Sequence, residues 1–320
     1  MGLLALSFSA FTGTDFWIGV GILAGIYGIF ALGLQLNAGF TGIFNFGQAG
    51  FMAIGAYTAG ILVVKANLPV YEALPAAAAA AVVAGLLIGL PSLRLRADYL
   101  AIATIAFSEV IRYIAQNART LTGGNEGLLG YDTSWSTASD WLSRNLHLGG
   151  NFLVPLLLVT WLSFVLLIVV LRLLTESPWG RVLRAIREDE DAARSLGKNT
   201  FVYKLQSLAL AALIGAFAGW LLALDLSFLS PDEFMPVFTF IGYTLLILGG
   251  MASYVGVAFG TLILWVVLEG TRYIGLPDPP FTDERIAALR FMIVGAVLIL
   301  LMVFRPQGVL GKREEMILGE

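Results

Sequence analysis

The sequence predicts an all-α polytopic membrane protein with about nine transmembrane helices, within a range of about eight to ten, an external N-terminus and a cytoplasmic C-terminus. Three observations predict it. Hydrophobic residues make up 58% of the 320 and charged residues 13%, with a mean hydropathy of +0.85, whereas an ordinary soluble domain carries about 25% charged residues. The apolar residues come in blocks near the roughly 20 residues that a helix rising about 1.5 Å per residue needs to cross a hydrocarbon core. The Lys and Arg residues are grouped along the chain rather than spread.

The blocks place the first five spans at Phe16 to Gln35, Phe40 to Val64, Val70 to Leu90, Tyr99 to Ala115 and Phe152 to Leu173. After a charged interval the spans resume at Tyr203 to Leu226, Val237 to Gly249, Val255 to Ile274 and Ile286 to Phe304. The opening MGLLALSFSAFTGTDF lacks the positive region of a secretory signal and leads into an apolar stretch, so it is expected to be retained.

Basic residues favour the cytoplasmic side of short loops. The interval Arg172 to Lys204 holds seven of the nineteen: Arg172, Arg181, Arg184, Arg187, Arg194, Lys198 and Lys204. Arg94 and Arg96 follow span three, Arg305, Lys312 and Arg313 lie in the tail, and the first fifteen residues contain neither Lys nor Arg. On a count of about nine spans, an external N-terminus puts all these groups inside; removing one span breaks the agreement. The external side then receives loop 116–150, the acidic turn with Pro231, Asp232 and Glu233, and the turn with Pro277, Pro279 and Pro280.

Composition also excludes chemistry. The absence of Cys removes disulfides, thiolate metal sites and a Cys nucleophile, and the single His147 leaves no His pair for a metal site. No catalytic and no metal residues are expected. A net charge of −3 without a basic surface argues against nucleic acid as a partner.

Between Asn37 and Gly60 stand six glycines, at 39, 42, 47, 50, 55 and 60, interleaved with Asn37, Asn45 and Gln48. Ala49 with Ala53, Gly55 with Ala59 and Ala56 with Gly60 are small-xxx-small pairs that let helix backbones approach. A second reading is a helix broken near Gly39 to Gly47, its freed backbone groups and amides lining a polar path. Both readings can hold together. Glu109 and Arg112, three apart on one helical face, form either a structural pair or part of a route that meets the charged ends of a zwitterion. Asp225, Glu269 and Arg272 near span ends receive no role.

The segment SPWGRVLRAIREDEDAARSLG, Ser177 to Gly197, reads as a cytoplasmic amphipathic helix. Ser177 suits the cap, Pro178 the first helical position and Gly197 the terminator. Arg184 with Glu188, Arg187 with Asp191 and Glu190 with Arg194 are opposite charges four apart, and Leu183, Ile186, Ala193 and Leu196 follow a helical spacing. It could lie on the membrane surface, but its balanced charge favours a protein partner. No P-loop is present: at Gly197-Lys198 the next residue is Asn199 and the required earlier glycine is Ala192.

The run Asp191-Ala192-Ala193-Arg194-Ser195-Leu196-Gly197 resembles the E-A-A-x-x-x-G loop of ABC-importer permeases, with Asp for the leading Glu and without the Ile and Leu-Pro that follow in the fuller consensus. NAGFTGIFNFGQAGFMAIGAYTAG (Asn37 to Gly60), LRLRADYLAIATIAFSEVIR (Leu93 to Arg112), TGGNEGL (Thr122 to Leu128) and FRPQGVLG (Phe304 to Gly311) resemble the LivM-type branched-chain amino acid permease family, in that family's order. The resemblance implies one ABC-importer transmembrane domain over 1–320 in the bacterial inner membrane, importing branched-chain or other neutral amino acids by alternating access. It implies a second related permease, two cytoplasmic ATP-binding subunits that use ATP and Mg, and an external solute-binding protein as partners. No cofactor is expected on this chain, which is a transport subunit and not an enzyme.

The same resemblance implies ATPase docking within 175–204 by Arg184, Arg187, Glu188, Asp189, Glu190, Asp191, Ala192, Ala193 and Gly197. Asn37, Asn45, Gln48, Glu109 and Arg112, polar or ionisable within the spans, are the candidate translocation path. A urea or short-amide importer shares the family shape. An independent secondary transporter would require buried ion-coupling carboxylates in several spans, and Glu109 alone fits that description.

Overall fold

The computed structural model describes residues 13–131, 133–146 and 153–270 continuously, with isolated positions between 288 and 300. It is an all-α bundle: α1 (Thr14–Leu34) running into a π-helical turn (Gln35–Thr41), α2 (Gln48–Ala66), α3 (Val70–Ser92), α4 (Ala97–Asn117) and the short α5 (Arg119–Thr122). There follow β1 (Leu128–Leu129), α6 (Thr133–Asn145), α7 (Leu153–Glu176), α8 (Pro178–Glu188), α9 (Glu190–Ser195) and α10 (Thr200–Asp225). The last described elements are β2 (Phe228–Leu229), α11 (Val237–Gly249) and α12 (Tyr254–Gly270). The segment 116–150, expected as an external loop, carries α5, β1 and α6 among its described residues.

A helix that is apolar all round is suited to the inside of a bundle. The apolar windows of α10, α1 and α2 are 78%, 72% and 61% buried, against 28% for α3 and 22% for α7, so the first three are the core and the last two the outer wall. Small residues let the core close: α3 buries Ala73, Ala77, Ala81, Gly85 and Gly89, one every turn, and a methyl group on Gly85 would lie 2.9 Å from the Ala212 methyl of α10. On α2, Gly55 meets the α10 backbone at Ala216.

Charge sorts to the two ends. At one end lie the α1 terminus, Arg94, Arg96, α8, α9 and the start of α10; Arg94 stacks over Phe201 with 5.6 Å to the ring centre. At the other, Arg112 faces Asp232 at 3.7 Å, and β1 pairs antiparallel with β2 through Leu128 with Leu229 and Leu129 with Phe228.

Among the described residues five helices are long and apolar enough to cross a membrane, six if α11 and α12 count as one broken span, against the nine or so expected. The difference has three sources. Asp98, Glu109 and Arg112 lower the hydropathy of α4. The short α11 and α12, 13 and 17 residues, are bent by 118° across their break. The expected span Ile286 to Phe304, with the Pro277 to Pro280 turn and the basic tail, lies outside the continuously described residues. The second span also begins later than expected, at Gln48 rather than Phe40, because Gly42 takes a left-handed conformation (φ 75°) that ends the π turn, and residues 43–47 then run non-helically.

Candidate functional site

The break between α1 and α2 frees backbone groups that must be satisfied away from water. Neighbouring helices supply the partners. Thr104 Oγ1 of α4 accepts from Phe46 N at 3.0 Å, Thr239 Oγ1 of α11 accepts from Ala49 N at 3.1 Å, and the Tyr243 hydroxyl donates to Asn45 O at 3.0 Å. The amides singled out by sequence join the same network. Asn45 Oδ1 accepts from Gly47 N at 2.9 Å and its Nδ2 donates to Gln48 Oε1 at 3.3 Å, while Gln48 Nε2 donates to Ala211 O of α10 at 3.0 Å. Ser207 of α10 donates to Asn37 Oδ1 at 3.0 Å and lies 2.7 Å from the Thr41 hydroxyl.

Asn37, Asn45 and Gln48 are fully buried, and the hydrogen bonds they make go to protein atoms. Asn37 Nδ2 has no hydrogen-bond partner among the described residues. Gln35, at the start of the π turn, accepts from Ala252 N and Ser253 N at 2.6 and 2.8 Å when its amide oxygen faces the α11–α12 connection. Phe40 stacks on Tyr254 with ring centres 5.5 Å apart. The π turn is therefore tied to α10 and to the α11–α12 turn at once. Among these residues Gln35, Thr41, Thr104, Ser207, Thr239 and Tyr243 escaped the sequence reading. Their only mark is a lone polar side chain inside an apolar span.

The Ser177 to Gly197 segment is two helices rather than one. Asp189 leaves helical geometry (φ −153°, ψ 106°) and its side chain accepts from Ala192 N at 2.9 Å, capping α9. Pro178 occupies the first position of α8 and Gly197 (φ 78°) follows α9, both as expected. Ser177 makes no cap bond; its hydroxyl donates to Leu174 O at 2.6 Å.

Arg184 and Arg187 of α8 also reach beyond their own helix. Arg184 Nη2 donates to Thr175 O at 3.0 Å and Arg187 Nη1 donates to Gly39 O, so each arginine reaches a carbonyl on another element, which helical spacing did not suggest. The Arg194–Glu190 pair forms at 3.1 Å. Glu190 also accepts from Lys204 and, at 3.0 Å, from the Thr200 hydroxyl, pinning α9 to α10. Burial alone would raise the Glu190 carboxyl, but Lys204, Thr200 and Arg194 outweigh it and hold it below the ordinary value.

Leu183, Ile186 and Ala193 face the bundle, whereas Leu196, expected on the same apolar side, is 80% exposed because α9 turns away after Asp189. Glu188, Ala192 and Gly197 lie along the same stretch, all three exposed. A cavity of about 250 Å³ separates this segment from the α3–α4 corner, lined by Thr41, Gly42, Phe44, Arg96, Arg187 and Lys204 among others. At the opposite end Glu109 accepts from Arg112 at 2.7 Å, and the guanidinium lies 4.7 Å from the Tyr113 ring centre.

Residues 17–302 match the family described as the permease component of branched-chain amino acid transport systems. The chain belongs to this family. The permease is 34% identical over 308 residues to the high-affinity branched-chain amino acid transport system permease protein LivM of Escherichia coli K12, covering 92% of this chain and 69% of that one. It is 26% identical to a probable branched-chain amino acid transport permease protein LivM of Methanocaldococcus jannaschii, over 90% of this chain and 91% of that one. The fructose import permease protein FrcC of Rhizobium meliloti matches 48% of this chain and 42% of its own length at 29% identity. No solved structure matches. The permease is thus an ABC transporter permease, a multi-pass inner membrane protein, and a transport subunit rather than an enzyme.

Proposed function

We propose that this permease is the transmembrane subunit of an ATP-driven importer that carries branched-chain or other neutral, hydrophobic amino acids inward by alternating access. Its N-terminus is external and the end bearing α8 and α9 is cytoplasmic. ATP and Mg are used by two separate ATP-binding subunits; a second, related permease and an external solute-binding protein complete the assembly. The names of the relatives that cover most of the chain support the substrate class. The gathering of Arg94, Arg96, Arg181, Arg184, Arg187, Arg194, Lys198 and Lys204 toward one end supports the orientation.

One observation carries the docking assignment: the α8–α9 unit is fastened inward by buried Leu183, Ile186 and Ala193 while Asp191, Arg194, Ser195 and Leu196 project outward. A projecting element of mixed charge with an apolar tip fits the cleft of a protein partner, and its rigid fastening is what a mechanical input requires. A ligand shifts a two-state equilibrium only through differential affinity, so ATP-driven closure must reach the spans through such an element.

The test is gentle affinity purification from the native membrane, then uptake of radiolabelled leucine by the reconstituted complex with valine, urea and acetamide as competitors. Recovery of P-loop ATPases with valine-sensitive uptake is the expected result. Active transport by the chain alone, or competition by urea instead of valine, would overturn it.

A further inference from the structure

The last carbonyls of a helix lack intrahelical donors and carry its partial negative charge, so a cation placed there both satisfies and fixes the terminus. The first span ends in this way on a residue from another element: Arg187 of α8 donates to Gly39 O within the π turn. Gly42, which closes the turn in a left-handed conformation, packs close to the same residue: a methyl group on it would lie 3.1 Å from Arg187 Cγ and 3.3 Å from Arg187 Cα. The hydrogen bond ties the turn to α8, and this close packing leaves little slack between them.

Three features suit the π turn to respond. π-helical turns are rare and concentrate at functional sites. Asn37, inside the turn, is fully buried with its amide nitrogen unpartnered among the described residues, a polar group that another arrangement of the turn could satisfy. The cavity of about 250 Å³ beside Thr41, Gly42 and Phe44 supplies volume for movement. Through Gln35 and Phe40 the turn then reaches the α11–α12 connection, and through residues 43–47 it reaches α2.

We propose that Arg187 is a positioning residue that couples the ATPase-docking segment to the π turn Gln35–Thr41, and that this turn is the first part of the spans to move when the ATPases close. Arg187 belongs to the coupling linkage inside the permease, not to the surface that the ATPase touches. This inference rests on the docking role proposed above.

The experiment uses the full complex in nanodiscs. The chain has no Cys, so Phe44→Cys, at a half-exposed position beside the turn, carries a nitroxide. With Arg187 present, its spectrum changes between the nucleotide-free and ATP-vanadate states. In Arg187→Gln the ATPases still co-purify and hydrolyse ATP, the spectral change is lost, and leucine uptake falls by about tenfold or more, as loss of a charge-assisted hydrogen bond supports.

Arg187→Lys keeps a point charge without the planar fork; it gives an intermediate response and carries the same readouts if the Gln variant fails to insert. An unchanged spectral response with normal uptake in these variants would overturn the proposal. Loss of the ATPases from them would also overturn it, by assigning Arg187 to the docking surface. Leu196→Asp separates the two ideas: it should strip the ATPases, and full retention of ATPases and uptake there refutes the docking reading itself.

Discussion

Gly55 of α2 sits so close to Ala216 of α10 that a methyl group on it would come within 2.1 Å of the Ala216 carbonyl oxygen. Backbone meets backbone at this crossing, with no flexible side chain to yield. Two of the three core helices are locked here.

Gly55→Val should therefore destabilise the fold by about 3 kcal/mol or more, the upper part of the range for overpacking. Thermal unfolding in detergent measures it. A melting temperature within error of the parent would mean that the crossing is looser than this distance implies.

Ser207→Ala removes the donor to Asn37 Oδ1 and leaves both ends of that buried amide without a partner among the described residues. The expected cost is about 1–3 kcal/mol. In an Asn37→Leu background the same substitution should cost clearly less, a non-additivity of about 1 kcal/mol in a double-mutant cycle. Equal costs in both backgrounds would sever the two residues energetically.

The Glu190 carboxyl is held below its ordinary value, so the stability it adds is fully present above the unfolded value of about 4.3 and is lost as pH falls through the lower folded value. A nitroxide on Ser195→Cys should keep constant mobility from about pH 8 to about pH 5 and loosen below about pH 4. With Glu190→Gln the segment should be loose throughout, without that step. Loosening between about pH 7 and pH 5 would contradict the assignment.

A membrane-impermeant maleimide should reach Ser195→Cys only from the cytoplasmic face and Asn125→Cys only from outside, both positions being exposed. Labelling of the two from one face would refute the topology. The absence of native Cys keeps the readout clean.

Much of the architecture is legible in the apolar blocks. The limits of α3, α4, α7 and α10 fall within three residues of the runs read from sequence, and Val237 to Gly249 coincides with α11. Length and hydropathy decide such boundaries locally. The break after α1 was legible as glycines among amides near Gly39 to Gly47, where residues 42–47 run non-helically; the span limits missed the π turn, which prolongs the first helix past Gln35 over residues whose composition suggests its end. Nor could spacing foresee that Arg184 and Arg187 reach carbonyls on other elements, since i to i+4 partners are local and Thr175 and Gly39 become neighbours only through packing. The buried stripe from Ala73 to Gly89 repeats every fourth residue and was available to a reader who looked for it.

The 118° bend between α11 and α12 bears on parity. α12 returns alongside α1, with Trp265 4.7 Å from Tyr27 between ring centres, while its first residue Tyr254 stacks on Phe40 at the far end of that helix. The pair therefore goes in and comes back. Counted as two crossings or as none, it hands the chain on at the side from which it received it. The end of α12 at Gly270 therefore lies toward the Asp232 side of the permease and away from Arg187.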